Sequence, residues 1–256
     1  MSAAIAFFAR TSSGVFAIFS GLAIGFAVPL IDAALLSATS LRIVFAGTLN
    51  WRRYIRLSVA YLYRIKVDNK YLLVKGKRFD QYQPVGGVYK THSSFSSKRQ
   101  KFGILDDNLL TPDTVSEADL RVRLRGRWLY GFVSWFRTGM NRETDCWREF
   151  YEELVVTGLL SRSNFGYIKY DKVRTRYSPL RYSDWAQSKE LLIHDIVELI
   201  PTGDQLAELR SLLNSADARI LWADEAQIRQ FGAVAGASNQ TTRVAQTALW
   251  TIDNES

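Results

Sequence analysis

The chain has 256 residues, 47% apolar and 23% charged, with a net charge of +8. That composition is globular and excludes a disordered polymer, a collagen-like fibre and a multi-span transporter. One cysteine, Cys146, excludes an internal disulfide framework and a cysteine-rich zinc site, and two histidines, His92 and His194, leave little for a histidine metal cluster.

The charge is unevenly placed. Residues 1–66 carry seven basic side chains and one acidic one, Asp32, whereas the remaining residues hold 26 basic and 24 acidic groups. A broad face for a nucleic-acid polymer is therefore not indicated, and an anionic membrane is the better partner for the excess. Thr11 to Ile31 is uncharged and rich in Phe, Ile, Leu, Ala and Gly. At about 1.5 Å per residue it spans roughly 30 Å, the thickness of a hydrocarbon core. Arg42, Arg52, Arg53 and Arg56 follow it, which by the positive-inside rule puts the rest of the chain in the cytoplasm.

Residues 1–50 thus read as a membrane segment with one span over about 11–36. A hairpin using residues 30–50 as a second pass stays open, although Asp32 and Arg42 suit lipid poorly. A cleaved signal peptide and a buried core helix are the competing readings. Residues 51–56 read as a basic juxtamembrane linker, and the Trp/Tyr/Arg mixture of 51–64 suits a membrane interface. Residues 57–256 read as the cytoplasmic domain.

In that domain Leu57 to Val67 alternates as a strand, Asp68-Asn69 breaks it and KYLLVK (70–75) resumes it, predicting a hairpin. Pro84 and Gly86-Gly87 mark a turn or a close backbone approach to a ligand. Residues 91–118 read as a polar insertion or loop. DLRVRLRGR (119–127) predicts a strand with Arg121, Arg123 and Arg125 on one face, either solvated or contacting phosphates. Trp128 to Phe136 is aromatic and partly buried. A helix is expected over about 143–157, strands over 165–175 and 188–199, and an amphipathic helix over 204–213. A strand and a short helix opened by Asp224 are expected within 218–232, and a terminal helix around 241–251. The sum is α+β.

WREFYEEL (147–154) is the sharpest feature. On a helix Trp147, Phe150, Tyr151 and Leu154 form a buried stripe, and Glu149, Glu152 and Glu153 fall together on the opposite face. Such carboxylates call for a cation among them. Mg²⁺ is the natural one because it takes oxygen ligands and keeps waters that bridge to phosphates. Arg148 could brace them, and an ordinary solvated acidic face is the plain alternative. Cys146 reads as a small buried side chain.

WREFYEEL resembles the REUXEE core of the Nudix box. RIKVDNKYLLVKGKRFDQYQPVGGVYK resembles the opening hairpin and Pro-x-Gly-Gly turn of a Nudix domain, and ARILWADEAQIRQFG its late strand and helix. The resemblance implies an α/β/α sandwich over about 57–252 with a long insertion between Gly87 and Arg148. The acid eight residues before that arginine falls on Met140, and the glycine after the Glu pair on Val155. The carboxylates are kept while the loop around them is rebuilt. With the membrane segment, DLRVRL and WF…NRE added, the chain resembles the SMODS-associated Nudix family. That resemblance implies an inner-membrane effector of bacterial anti-phage signalling of the CBASS type. Its domain would sense a cyclic di- or trinucleotide made by a cognate nucleotidyltransferase, oligomerise, and disrupt the membrane lipid barrier. Arg121, Arg123 and Arg125 are then the candidate phosphate contacts, and Tyr82, Tyr89 or Trp135 the candidate stacking rings. The runner-up is a membrane-tethered Mg²⁺-dependent Nudix hydrolase of a nucleoside diphosphate derivative, with Glu149, Glu152 and Glu153 as ligands. A membrane scaffold without ligand is the third reading.

Overall fold

The structure, a computed structural model, describes residues 38–77, 79–107, 118–233 and 242–252. The uncharged stretch 11–31 lies outside them. Among the described residues no helix is long and apolar enough to cross a membrane. The first described element is a helix over residues 38–49, α1. It lies against the domain, with Ile43 buried and Gly47 so close to the Gly126 carbonyl that a Cβ would come inside 3.0 Å.

β1 (Tyr54–Arg64) follows, so the basic linker read over 51–56 ends earlier than expected. Ile55 and Arg56 are already buried in this strand. Its alternation also misleads, because every residue after Tyr54 is buried. β1 is a central strand covered on both faces, which removes the need for a polar side. β2 (Lys66–Val67) and β3 (Lys70–Lys75) form the expected hairpin. Asp68 and Asn69 take left-handed angles, φ 46° and 62°, as a tight two-residue hairpin turn demands.

β4 (Tyr82–Pro84) and β5 (Gly86–Val88) come next. The polar region after them is not a plain loop where it is described. A 3₁₀ turn at Ser93–Phe95 runs into α2 (Ser96–Phe102) and β6 (Leu105–Asp106). Phe95 and Phe102 pull this serine-rich helix onto the core. β7 (Arg121–Arg125) is the predicted arginine strand, and α3 (Leu129–Arg137) carries the aromatic run as a helix.

The acidic helix is shorter than 143–157. α4 (Trp147–Phe150) passes into a wider turn over Tyr151–Val155, where the Val156 amide reaches back five residues to the Tyr151 carbonyl at 2.8 Å. α5 (Arg162–Phe165) replaces the start of the expected strand, so β8 begins later, at Lys169–Tyr177. β9 (Arg181–Ser183) and β10 (Ser188–Ile200) follow. α6 (Gly203–Leu213) opens on a capping box between Thr202 and Gln205. β11 (Ile220–Asp224) and α7 (Glu225–Arg229) match expectation, with Asp224 accepting from the Gln227 amide as cap. The terminal helix is only a 3₁₀ turn, Gln246–Trp250.

One mixed sheet runs β6–β7–β1–β10–β8, with β5 on β1 and β9 on β10; a smaller one runs β11–β3–β2 with β4 on β3. β1 and β10 are parallel. The odd-numbered residues of β1 enter the main core with α3, α4, α5 and α6. A second, smaller core under the other face of the small sheet joins Tyr71, Leu73 and Ala223 to α7 and the final 3₁₀ turn. The result is a mixed α/β domain with unequal outer layers.

Candidate functional site

The site is built where α4 meets β5. Asp145 accepts from the Trp147 amide at 2.9 Å and from the Tyr170 hydroxyl at 2.7 Å, which fixes the start of the helix. Tyr63 donates to the Cys146 carbonyl at 3.0 Å, and the Glu149 amide donates to the Tyr61 hydroxyl at 3.3 Å. Burial raises the pKa of both β1 tyrosines, so they act here as neutral groups. Cys146 is buried and its thiol is pushed up to about 12 by burial, the environment of a packing side chain rather than of an activated thiolate.

Arg148 holds the carboxylates together. Its guanidinium donates to Glu149 at 2.6 Å, to the two oxygens of Glu143 at 3.1 and 3.3 Å, and to the Val88 carbonyl at 3.1 Å. Glu152 is 3.9 Å away. Glu143 is tied to the chain just after β5, since its side chain accepts from the Lys90 amide at 3.2 Å and its own amide donates to the Lys90 carbonyl at 2.7 Å. The partner of the arginine is therefore an acid five residues before it, not eight. Sequence reasoning looked at Met140 and missed it; the signal was Glu143 itself, the acid that opens ETDCWRE.

The wide turn changes the phase of the other two glutamates. Glu152 faces solvent, while Glu153 is turned inward and accepts from the Gly86 amide at 3.1 Å. Burial pushes the Glu153 carboxyl up to about 7; the Gly86 amide opposes this and the charge of Glu149 adds to it. A π-type turn inserted in a helix commonly marks a functional position. The two glycines serve different neighbours. A Cβ on Gly86, which sits at φ 152°, would fall inside 3.0 Å of the Tyr61 carbonyl oxygen, and one on Gly87 would strike the Glu149 carboxylate.

Among the described residues no group of three or more His, Cys, Asp or Glu side chains is arranged to hold a metal ion. Glu149, Glu152 and Glu153 do share one region, as expected, but Arg148 stands between Glu149 and Glu152 and Glu153 is turned to the backbone. As arranged they do not fit a Mg²⁺ shell.

Most of the arginine strand lies elsewhere. Val122 and Leu124 point into the core, so Arg123 and Arg125 point to the face opposite α4. There Arg123 sits beside Arg56 in register and donates to the Asp106 carbonyl at 3.2 Å. Arg125 lies over the Tyr54 ring, 5.5 Å from its centre. Arg121 pairs with Asp119 at 3.0 Å. Burial lifts the Asp119 carboxyl to about 6; Arg121, Lys90 and Arg148 oppose the lift and Glu149 adds to it, so this end of β7 feels the charges of the α4 site. Arg56, assigned to a linker from sequence, is buried between Asp107, at 2.6 Å, and Glu190, with Trp185 4.9 Å away.

Two of the expected stacking rings are not free for a ligand. Tyr89 is buried and donates to Asp195 at 2.9 Å. Trp135 is buried and packs on Phe95 with centroids 4.5 Å apart. Tyr82 is half-buried, with its hydroxyl donating to the Ala218 carbonyl at 2.7 Å. Further accessible rings occur in a cavity of about 690 Å³ beside the start of α4, lined by Trp147, Tyr167, Tyr170, Lys169 and Asp171 among others.

The family model of the SMODS-associated NUDIX domain (Sa_NUDIX) matches residues 54–252, from the first residue of β1 to the end of the second core. The chain belongs to the SMODS-associated NUDIX domain family. No curated protein and no solved structure matches it. For this SMODS-associated NUDIX domain, the described residues between Gly87 and Trp147 are part of the fold. They supply α2, β7, α3 and the Glu143 that anchors Arg148.

Proposed function

We propose that this chain is an inner-membrane effector of a CBASS-type anti-phage system. Its cytoplasmic domain senses a cyclic di- or trinucleotide supplied by a cognate nucleotidyltransferase, assembles into homo-oligomers, and the membrane segment then breaches the lipid barrier. The observation that carries this reading is membership of the SMODS-associated NUDIX domain family over residues 54–252. The sequence adds the uncharged stretch 11–31 followed by basic residues. Two surfaces could take the ligand. One is the arginine face of β7; the other is the aromatic cavity beside α4. No nucleic-acid polymer is required.

A ligand can drive assembly only through its greater affinity for the assembled state. The test is thermal shift of the detergent-solubilised full chain against cyclic di- and trinucleotides, with linear dinucleotides and nucleotides as controls, with and without Mg²⁺. At a ligand concentration of 100 Kd the native state gains about 2.7 kcal/mol, or about 5–11 °C for a domain of this size. A shift for one cyclic nucleotide, with no product, supports the sensor. Arg123→Ala removes the shift if the ligand lies on β7, and Tyr167→Ala removes it if it lies in the cavity. No shift with any cyclic nucleotide refutes the reading.

The second reading, a Mg²⁺-dependent hydrolase of a nucleoside diphosphate derivative, draws on the exposure of Glu152 beside the inward-turned Glu153. It requires rearrangement around Arg148. Mg²⁺-dependent turnover that is lost in Glu152→Gln would favour it.

A further inference from the structure

Helix α1 has two unlike faces. Ile43, Ala46, Gly47 and Asn50 fall on one side and lie against the domain. Leu41, Val44, Phe45, Thr48 and Leu49 fall on the other, within one apolar stripe. That stripe is open: Leu41 is 68% exposed, Phe45 66% and Leu49 66%. Single exposed apolar residues are ordinary, but a contiguous group marks a contact surface.

The group is contiguous. Val44, Thr48, Trp51, Arg127 and Tyr130 line one shallow depression, and Trp51, Tyr54 and Tyr130 are all exposed. Arg127 in its lining is exposed, as are Arg42, Arg52 and Arg53 beside the stripe in the chain, and the chain has no acidic residue between Asp32 and Asp68. An apolar stripe edged by Trp and Tyr and accompanied by cations without acids is complementary to the headgroup–acyl boundary of an anionic leaflet.

We propose that the α1 end of the domain rests on an anionic lipid leaflet, with Leu41, Phe45, Leu49 and Trp51 in the headgroup–acyl boundary and Arg42, Arg52 and Arg53 at lipid phosphates. The proposal rests on the membrane-anchored reading of residues 11–31, which end seven residues before α1. It replaces the interface read over 51–64, most of which is the buried strand β1. The seating fixes the orientation of the domain: α1, the 3₁₀ turn at Gly126–Trp128 and the start of α3 face lipid.

The test uses the full chain in vesicles of phosphatidylcholine and phosphatidylglycerol, with nitroxide labels on Phe45→Cys, Leu49→Cys and, as a water-facing control, Ile200→Cys, an exposed position at the opposite end of β10 from the residues that pair with the start of β1. Buried Cys146, with its raised thiol pKa, stays unlabelled at neutral pH. Flotation of the vesicles reports the anchor separately. The expected result is flotation, with an oxygen-to-nickel-complex accessibility ratio several-fold higher at positions 45 and 49 than at 200. Each of Arg52→Gln and Arg53→Gln should weaken the seated population about fivefold, the equivalent of one basic side chain at an anionic surface. Flotation with water-like labels at 45 and 49 overturns the seating and leaves the anchor standing. Labels shielded from both reagents also overturn it, and place residues 11–31 or a second copy on the stripe. Failure to float refutes the anchor, and the seating with it.

Discussion

The glycine pair at the site makes two separable predictions. Gly86 is wedged against the backbone of β1. An added Cβ would lie inside 3.0 Å of the Tyr61 carbonyl oxygen, and the residue sits at φ 152°, where L side chains are strained. β1 cannot yield, because it is held by β5 and β7 on one side and β10 on the other. Strain of about 1–3 kcal/mol plus overpacking of similar size gives about 3–5 kcal/mol for Gly86→Ala. For a domain of this size that is a fall in Tm of about 6–20 °C. Gly87 faces a side chain instead. Its Cβ would strike the Glu149 carboxylate, which can swing away at the expense of its 2.6 Å bond to Arg148. Gly87→Ala should therefore cost only about 1–2 kcal/mol, or about 2–8 °C. Urea unfolding followed by tryptophan fluorescence measures both. Equal costs for the two variants, or a cost below about 1 kcal/mol for Gly86→Ala, would refute the geometry.

Three further outcomes follow from neighbouring groups. Glu143→Ala removes two bonds to Arg148 and one to the Lys90 amide and should cost about 2–3 kcal/mol, with a coupling to Arg148→Met of about 1–2 kcal/mol in a double-mutant cycle; Glu152→Gln, at a solvent-facing site, should stay within about 0.5 kcal/mol. Asp107→Ala takes one carboxylate from buried Arg56 and leaves Glu190, so it should cost about 2–3 kcal/mol in urea unfolding. His194 is buried edge-on to Trp250, its Nδ1 lacks a hydrogen-bond partner, and burial lowers its pKa from 6.5 to about 4. The unfolded chain therefore takes up a proton near pH 6.5 that the folded one takes only near pH 4, so this residue removes stability as pH falls through that window, about 3 kcal/mol in all. Asp119 and Glu153, with raised pKa values, act in the opposite sense at acid pH, so the check is the difference in pH slope between wild type and His194→Phe, in which their contributions cancel.

Local chemistry made some of this legible in the sequence. Asp68-Asn69 and Asp224 both lie where turn and cap rules put them, because those rules act within a few residues. The buried stripe of WREFYEEL was visible as well, since it follows from helical period; the acidic face was not, because the wide turn takes Glu153 out of that period. Facts set by distant partners were not legible. β1 looks half-exposed on paper and is buried on both faces, because β10 arrives from the far end of the chain to pair with it. Arg56 reads as linker until Asp107 and Glu190 close on it. Tyr89 and Trp135 read as ligand rings because their residue types suit stacking, and both are spent inside the core. The wide turn after Phe150 has no sequence marker, yet it decides that Glu153 faces Gly86 while Glu152 faces water.

The separation of the arginines from the carboxylates bears on which chemistry the domain can perform. Arg123 and Arg125 stand on one face of the large sheet and α4 packs on the other. A phosphate held by those arginines is out of reach of Glu149, Glu152 and Glu153, with a full layer of sheet between them. A ligand bound there would be sensed and not cleaved. The aromatic cavity stands differently. Asp145 and Trp147 line it, and Trp147 opens α4, the helix that carries Glu149. No layer of sheet separates it from that helix. Locating the ligand therefore also constrains the reaction. Loss of the thermal shift in Arg123→Ala with retention in Tyr167→Ala argues for a pure sensor. The reverse result places the ligand at the start of α4 and makes the search for Mg²⁺-dependent product the next step.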